Sequence, residues 1–479
     1  MYPQKSLDEL EQQIKIDFEN LNIPPKSWII SDNQAEKNEV DVAIIGAGMS
    51  ALALALALLS QGIRCVLFEK EKDGQEGPWV KPALMQTLRS PKNIVGPALQ
   101  FPSLTFQAWF KAQFGQEAWE QLDKIPRLQW HTYLQWFKKV TQPHILYEHE
   151  LIELEVNSAH TQLTFSHQGE VIQYQASHTV LAMGIDSLSQ PNIPSFMQGI
   201  NTRFWEHSYA GSDYQRFKGL DLAVIGYSAS AMDSTATALE LGARQVEVLC
   251  RCKDFPRVNR GKVAANPGYL ASYSEWSDAQ KWQFHRYLKH AKTPAPYGST
   301  LRVSKHQNAF FNFDQHIAHV EEHQNKLHIY TQDHCFVVDY LILATGYTLD
   351  WSKYTWLKQL ESSIAKWKDM YTAPVHEQDN YMADQPYLSA SFELQSKHSK
   401  LNLSQIYCFN YSASLSQGAQ VGMIGGLNYG AQTLATAIAK KMYMASFDRQ
   451  IDAVKRSEDY ELTGREWNEA APYSTRSKQ

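Results

Sequence analysis

The stretch Asp41 to Lys70, DVAIIGAGMSALALALALLSQGIRCVLFEK, constrains this chain most. It reads as strand, glycine turn, helix and second strand, ending at an acid. Val42 to Ile45 is short, apolar and β-rich, Gly46, Ala47 and Gly48 make the turn, and Ala51 to Leu59 alternates Ala and Leu as a tightly packed helix does. Gly46 allows the sharp turn. Gly48 leaves room for a pyrophosphate to approach the backbone, where the first helix amides bind the anion. Ala51 stands where the fingerprint prefers a third glycine, a position that needs only a small side chain. Glu69 follows the second strand and suits a ribose hydroxyl. The segment is expected to bind a dinucleotide.

A membrane span is the competing reading, because Val42 to Leu59 carries no charge. The turn glycines, the charged flanks and the lack of a second long apolar run favour a buried helix, and no secretory leader is read ahead of it. A hydrophobic content of 43% is ample for more than one core. A net charge of -5 gives no electrostatic reason to expect nucleic acid or an anionic membrane as partner. The cysteines Cys65, Cys250, Cys252, Cys335 and Cys408 are scattered without a CxxC, which points to reduced thiols in a cytoplasm.

Residues 1–38 read as a helical arm. Ser6 and Glu9 fit a capping box, and Leu7, Leu10, Ile14, Phe18 and Leu21 recur at helical spacing. That stripe docks on the protein's own surface or, alternatively, forms a contact in a homo-oligomer. Phe106, Trp109, Phe110, Trp119, Trp130, Tyr133 and Trp136 follow helical spacing and are expected in a core. Residues 146–185 read as short strands ending in VLAMGI, and a Pro- and Ser-containing crossing follows from Ser187 to Ser195.

A second glycine-turn unit begins at Gly219. A strand ends at Ile225, Gly226 and Ser228 make the turn, Ala231 is the small packing residue, and the next strand, Gln245 to Cys250, ends in Arg251 with Lys253 close by. A basic residue there suits the 2'-phosphate of NADP, whereas an acid suits a free 2'-hydroxyl. NADPH is therefore the expected second nucleotide. Residues 254–312 read as irregular. His316, His319, His323, His328 and His334 invite a metal reading, but the alternation around them predicts a hairpin with rings on both faces, so no metal is assigned. The strand YLILATGYTLD turns at Thr345 and Gly346, repeating the placement of VLAMGI before a change of domain. A last helix, Asn428 to Ser446, opens after Gly425 and Gly426, and its start could face a flavin or its pyrophosphate.

These carriers resemble the two-dinucleotide flavoprotein monooxygenases, the group of flavin-containing monooxygenases, Baeyer-Villiger monooxygenases and N-hydroxylases of ornithine and lysine. The resemblance covers most of residues 39–446. It rests on the first unit at Gly46, Gly48 and Glu69, EGPW ending in Trp79 where the family often has GGxW, the second unit at Gly226 and Arg251, and ATGY at Ala344 to Tyr347. It implies an α/β fold of two Rossmann-like domains, with the NADPH domain inserted into the FAD domain. The expected boundaries are 39–200 and 336–450 for FAD, 201–335 for NADPH, and 451–479 as a polar tail.

The resemblance also implies its site residues. The family's FxGxxxH fingerprint survives only as His207 and Ser208, with Asn201 and Arg203 where Phe and Gly belong. MQTLRSPK looks like the N-hydroxylase segment under the flavin, which draws Met85, Gln86 and Lys92 toward the ring. Arg89, Lys92 and His207 are the candidates for organising the catalytic space. The implied activity is NADPH reduction of FAD, then oxygen transfer from a peroxyflavin to a small molecule, at an amine nitrogen or another heteroatom. The alternatives are Baeyer-Villiger oxygenation of a ketone and an NAD(P)H-dependent reductase that inserts no oxygen.

Overall fold

A computed structural model describes residues 6–30, 38–264, 266–398 and 401–468. Helix α1 (Leu7–Asn20) starts on a reciprocal capping box: Glu9 N–H donates to Ser6 Oγ at 3.2 Å and Ser6 N–H to Glu9 Oε2 at 2.7 Å. Its stripe docks on the chain itself. Leu10 and Ile14 are buried, Phe18 meets the edge of Phe101 at 5.5 Å, and Glu11 accepts from Trp136 Nε1 at 3.1 Å and Lys139 at 2.8 Å. Leu21 remains exposed.

The first Rossmann-like sheet is built on β1 (Glu39–Ile45), α2 (Met49–Ser60) and β2 (Cys65–Phe68). Ala51 to Leu58 are all buried, because a helix that is apolar all round needs cover all round. Helices α3 (Phe106–Gln121) and α4 (Arg127–Thr141) follow, and the seven aromatics assigned to a core are buried there. Strands β3 (Ile145–Leu146), β4 (Glu150–Val156), β5 (Thr161–His167) and β6 (Glu170–Leu181) complete the order β3-β2-β1-β6-β5-β4. β3, β2, β1 and β6 are parallel; β4 and β5 extend β6 as an antiparallel meander.

The chain then leaves along β7 (Ser189–Pro191) into the second sheet. Its strands are β8 (Trp205–His207), β9 (Asp221–Ile225), β10 (Gln245–Leu249), β11 (Ala309–Asn312) and, beyond a side sheet of β12 (Ile317–His323), β13 (Lys326–Thr331) and β14 (Cys335–Val338), β15 (Tyr340–Leu343). The parallel order β11-β10-β9-β15-β8 corrects the expected boundary at 336. Tyr340–Leu343 is wholly buried and bonded to β9 and β8, so the inserted domain closes only after Leu343. The return strand β16 (Tyr347–Leu349) lies antiparallel to β7, so exit and re-entry form one two-stranded link.

Residues 254–312 are not irregular as expected. After α5 (Ala229–Glu240) and β10 they form α6 (Gly261–Ala264), α7 (Pro267–Ser272), α8 (Asp278–Ala291) and α9 (Tyr297–Ser304). Prolines divide the helical period there, while tertiary contacts sustain it: Trp282 packs on Trp367 at 6.2 Å and Tyr273 Oη donates to Leu415 O at 2.9 Å. The excursion thus lies against the second part of the first domain, α10 (Thr355–Glu361), α11 (Trp367–Met370), α12 (Asn380–Ala383), β17 (Ile406–Cys408) and α13 (Ser414–Gln417). β17 pairs with β6, and α14 (Leu427–Ala445) packs on α2.

The expected polar tail begins as helix α15 (Phe447–Lys455) and includes α16 (Arg465–Asn468); residues 469–479 lie outside the described residues. The five cysteines are free thiols. Among the described residues no helix is long and apolar enough to cross a membrane.

Candidate active site

The two glycine turns are built alike. Gly46 has φ +105°, its N–H donates to Phe68 O at 2.7 Å, and a Cβ there would stand 2.8 Å from Ala182 O. Gly226 has φ +131°, its N–H donates to Leu249 O at 3.1 Å, and a Cβ would stand 2.6 Å from Ala344 O. VLAMGI and YLILATGY therefore recur for one reason: each ends a neighbouring strand with a carbonyl against its glycine.

Gly48 has nothing within 4 Å of its Cβ position and starts α2 with no side-chain cap. Ser228 likewise starts α5 without a side-chain cap. Ala51 and Ala231 are fully buried, the small contacts that bring each helix onto its sheet. Both helix starts therefore offer free amides.

The acid and base ends of the two units differ by one residue. Ile45 pairs with Phe68 and Ile225 with Leu249, so Cys250, not Arg251, stands in register with Glu69. The expected strand end at Cys250 is thus corrected to Leu249. Cys250 is buried with Sγ 3.7 Å from Gly226 O, and burial pushes its thiol up to about 12. Arg251, the next residue, is exposed, with no ion pair or hydrogen bond among the described residues. Lys253 reaches Asp314 at 3.9 Å.

Glu69 is 6% exposed; Oε2 accepts from Ala47 N–H at 2.8 Å and Oε1 from Glu71 N–H at 3.0 Å. Burial raises its pKa, the two amides oppose that, and the like charges of Glu76 and Glu71 add to it.

The segment after EGPW joins the domains. Arg127, which the sequence did not single out, binds the carbonyls of Trp79, Val80 and Met85, and its own N–H donates to Gln86 O at 2.9 Å. Burial lowers its pKa while Asp233 raises it. Its only sequence signal is its place at the start of the aromatic helix. Gln86 Nε2 approaches Glu240 Oε2 at 3.4 Å, and Arg89 Nη2 donates to Pro294 O at 2.9 Å, both in the inserted domain. Partial burial lowers the Arg89 pKa. Trp79 is buried edge-on to Trp130 at 6.2 Å, a core position rather than an open cofactor face.

Two of the three catalytic candidates, Lys92 and His207, are engaged by main-chain carbonyls. Lys92 Nζ donates to Trp119 O and Leu122 O at 2.6 Å and to Glu120 O at 3.3 Å, capping the end of α3. Three carbonyls thus account for the three ammonium hydrogens, a structural role for Lys92. Lys92→Met is expected to lower unfolding stability by about 1–3 kcal/mol and leave the pH profile of turnover unchanged. Lost turnover in a variant of native thermal stability would return Lys92 to the chemistry.

His207 is 6% exposed; Nδ1 accepts from Tyr209 N–H at 3.2 Å, so Nε2 carries the proton and donates to Gly346 O at 3.0 Å. Burial lowers its pKa and the Gly346 carbonyl opposes that. It clamps the ATGY turn, where Thr345 Oγ1 donates to Asn192 O at 2.5 Å.

The structure fits FAD at the first unit on several observations. Glu76 Oε2, Trp130 Nε1 and His131 Nδ1 are buried without hydrogen-bond partners. Burial lowers the His131 pKa, against the pull of Glu76. Asn428, in the first turn of α14, is half-buried and its side chain makes no hydrogen bond among the described residues. The second unit fits a phosphorylated nucleotide through the uncapped α5 and Arg251.

Known proteins are similar to this chain in sequence or in fold. A FAD-dependent urate hydroxylase of Xanthomonas campestris is 30% identical over 96% of this chain and 98% of its own. An ornithine N-hydroxylase of Kutzneria, solved with reduced FAD, NADP+ and L-ornithine, superimposes with TM-score 0.68 at 15% identity, covering 84% of this chain and 99% of that one. L-lysine 6-monooxygenase of Pseudomonas syringae gives TM-score 0.66 at 15% identity over the same shares. The profile of the L-lysine 6-monooxygenase/L-ornithine 5-monooxygenase family matches residues 38–349, which span both glycine turns and the ATGY link. With both nucleotide units, the uncapped helix starts and this match in place, the chain belongs to that family of FAD- and NADPH-dependent monooxygenases.

Proposed function

We propose that this enzyme oxygenates the amine nitrogen of a small polar molecule, with molecular oxygen as co-substrate. The family match across both nucleotide units carries the reading. FAD, reduced by NADPH, supplies the activation of oxygen. Gly46, Gly48 and Ala51 would admit the FAD pyrophosphate to the α2 amides, and Glu69 would take a ribose hydroxyl. Gly226, Ser228 and Ala231 would do the same for NADPH at α5, with Arg251 and Lys253 on the 2'-phosphate.

Arg127 holds residues 79–86 in place, and Gln86 and Arg89 tie that segment to the inserted domain. Met85 and Gln86 would thereby border the flavin, and the closed seam would keep bulk water from it. His207 would keep Thr345 and Gly346 at the link, while Asn428 would offer its amide at the start of α14.

A second reading, hydroxylation of a nitrogen-rich heterocycle such as urate, is favoured by the full-length likeness to the urate hydroxylase. Oxygen uptake and NADPH oxidation, measured with ornithine, lysine, cadaverine and urate, separate the two. Hydroxylamine formation from one amine is the expected result. Turnover of urate alone would transfer the assignment to the second reading, and NADPH oxidation without a hydroxylated product from any of them would overturn both.

A further inference from the structure

The loop after Glu69 carries a second buried acid that no nucleotide motif predicts. Glu76 is 6% exposed; its Oε1 accepts from Gln135 Nε2 and Lys138 Nζ, each at 2.8 Å, while its Oε2 is buried without a partner. Lys138 is fixed in turn by Asp73 and by Tyr147 Oη at 2.8 Å. Tyr147 directly follows β3, whose Leu146 carbonyl accepts the Glu69 N–H at 2.9 Å. The two acids are therefore anchored to the same sheet end. Along α4, His131 Nδ1 is likewise buried and unpartnered, and Glu76 is close enough to act on its pKa.

A buried carboxylate oxygen without a donor is costly, so this arrangement calls for one. A phosphate supplies none and would add like charge. The vicinal diol of a ribose supplies two hydroxyl donors close together, and both Glu69 oxygens already accept backbone amides.

We propose that Glu76 Oε2 accepts one hydroxyl of the adenosine ribose of FAD and Glu69 the other, so that two acids divide the diol. Lys138 and Gln135 aim Glu76 by occupying its other oxygen. The inference rests on FAD at the first unit and not on the identity of the substrate.

The test titrates flavin-free protein with FAD and with FAD analogues lacking the adenosine 2'- or 3'-hydroxyl, following flavin fluorescence. Native protein is expected to bind each analogue about tenfold more weakly than FAD. In Glu76→Gln, Lys138 engages the amide oxygen and the amide NH2 faces the hydroxyl, which loses its charged acceptor and is left with at most one neutral hydrogen bond, accepted from the amide. That variant is expected to lose about tenfold in FAD affinity, to penalise one analogue clearly less than the native protein does, and to penalise the other as before. Glu69→Gln is expected to show the complementary pattern.

A Glu76→Gln protein that penalises both analogues as the native one does would overturn the proposal. So would native protein indifferent to either hydroxyl, a measurement that needs no variant to fold.

Discussion

Gly226→Ala is expected to abolish NADPH binding while FAD stays bound, and Gly46→Ala to do the reverse. Each substitution meets two obstacles. The backbone angles, +131° at Gly226 and +105° at Gly46, are open to glycine but strained for alanine, by about 1–3 kcal/mol. The added methyl also meets a strand-end carbonyl rather than a side chain that can turn away: Ala344 O at 2.6 Å or Ala182 O at 2.8 Å. The turn must open, and the helix amides it aims leave the phosphate site. Flavin absorbance per protein measures the first site, and a fluorescence titration with NADPH, which needs no bound flavin, measures the second. Native NADPH affinity in Gly226→Ala would remove the second turn from nucleotide binding.

Arg251→Ala is expected to weaken NADPH by about 1–3 kcal/mol, roughly 5- to 150-fold, and to leave NADH nearly unchanged. The contact at stake is a charge-assisted pair with the 2'-phosphate, the only group that distinguishes the two nucleotides. Arg251 is exposed and makes no ion pair among the described residues, so thermal stability is expected to hold. Lys253, already shared with Asp314 at 3.9 Å, should contribute less. Dissociation constants for both nucleotides decide the matter, and an equal loss for NADPH and NADH would contradict a 2'-phosphate role.

Much of the fold was legible because its signals are local. The strand, turn and helix of the first unit announce themselves within thirty residues, Asp41 to Lys70, and the capping box of α1 within four, Ser6 to Glu9. The nested domain order followed from two similar strand exits, VLAMGI and YLILATGY, whose carbonyls pack on the two glycines. Arg251 was recognisable as a cation near a strand end, yet its register was not. Strand pairing places Cys250 opposite the Glu69 position, and a single residue of register is invisible without the partner strand.

Lys92 and His207 drew attention as ionisable residues in suggestive motifs, but their partners lie far along the chain. Lys92 meets carbonyls at 119–122, and His207 meets the carbonyl of Gly346. Arg127 escaped notice for the same reason, and Glu76 was read only as the first residue of EGPW, since its burial and its open oxygen have no local pattern.

Two dinucleotide turns and an inserted second domain could be read from the residues alone, and Arg251 could be singled out as the cation to test against the 2'-phosphate, because glycine φ requirements and apolar periods are written within short segments. Where the inserted domain closes, which polar groups are already engaged and which buried oxygen still lacks a donor emerged from the folded chain. Those properties belong to pairs of residues brought together through space, and the free energy of a buried polar group depends on its partner rather than on its own identity.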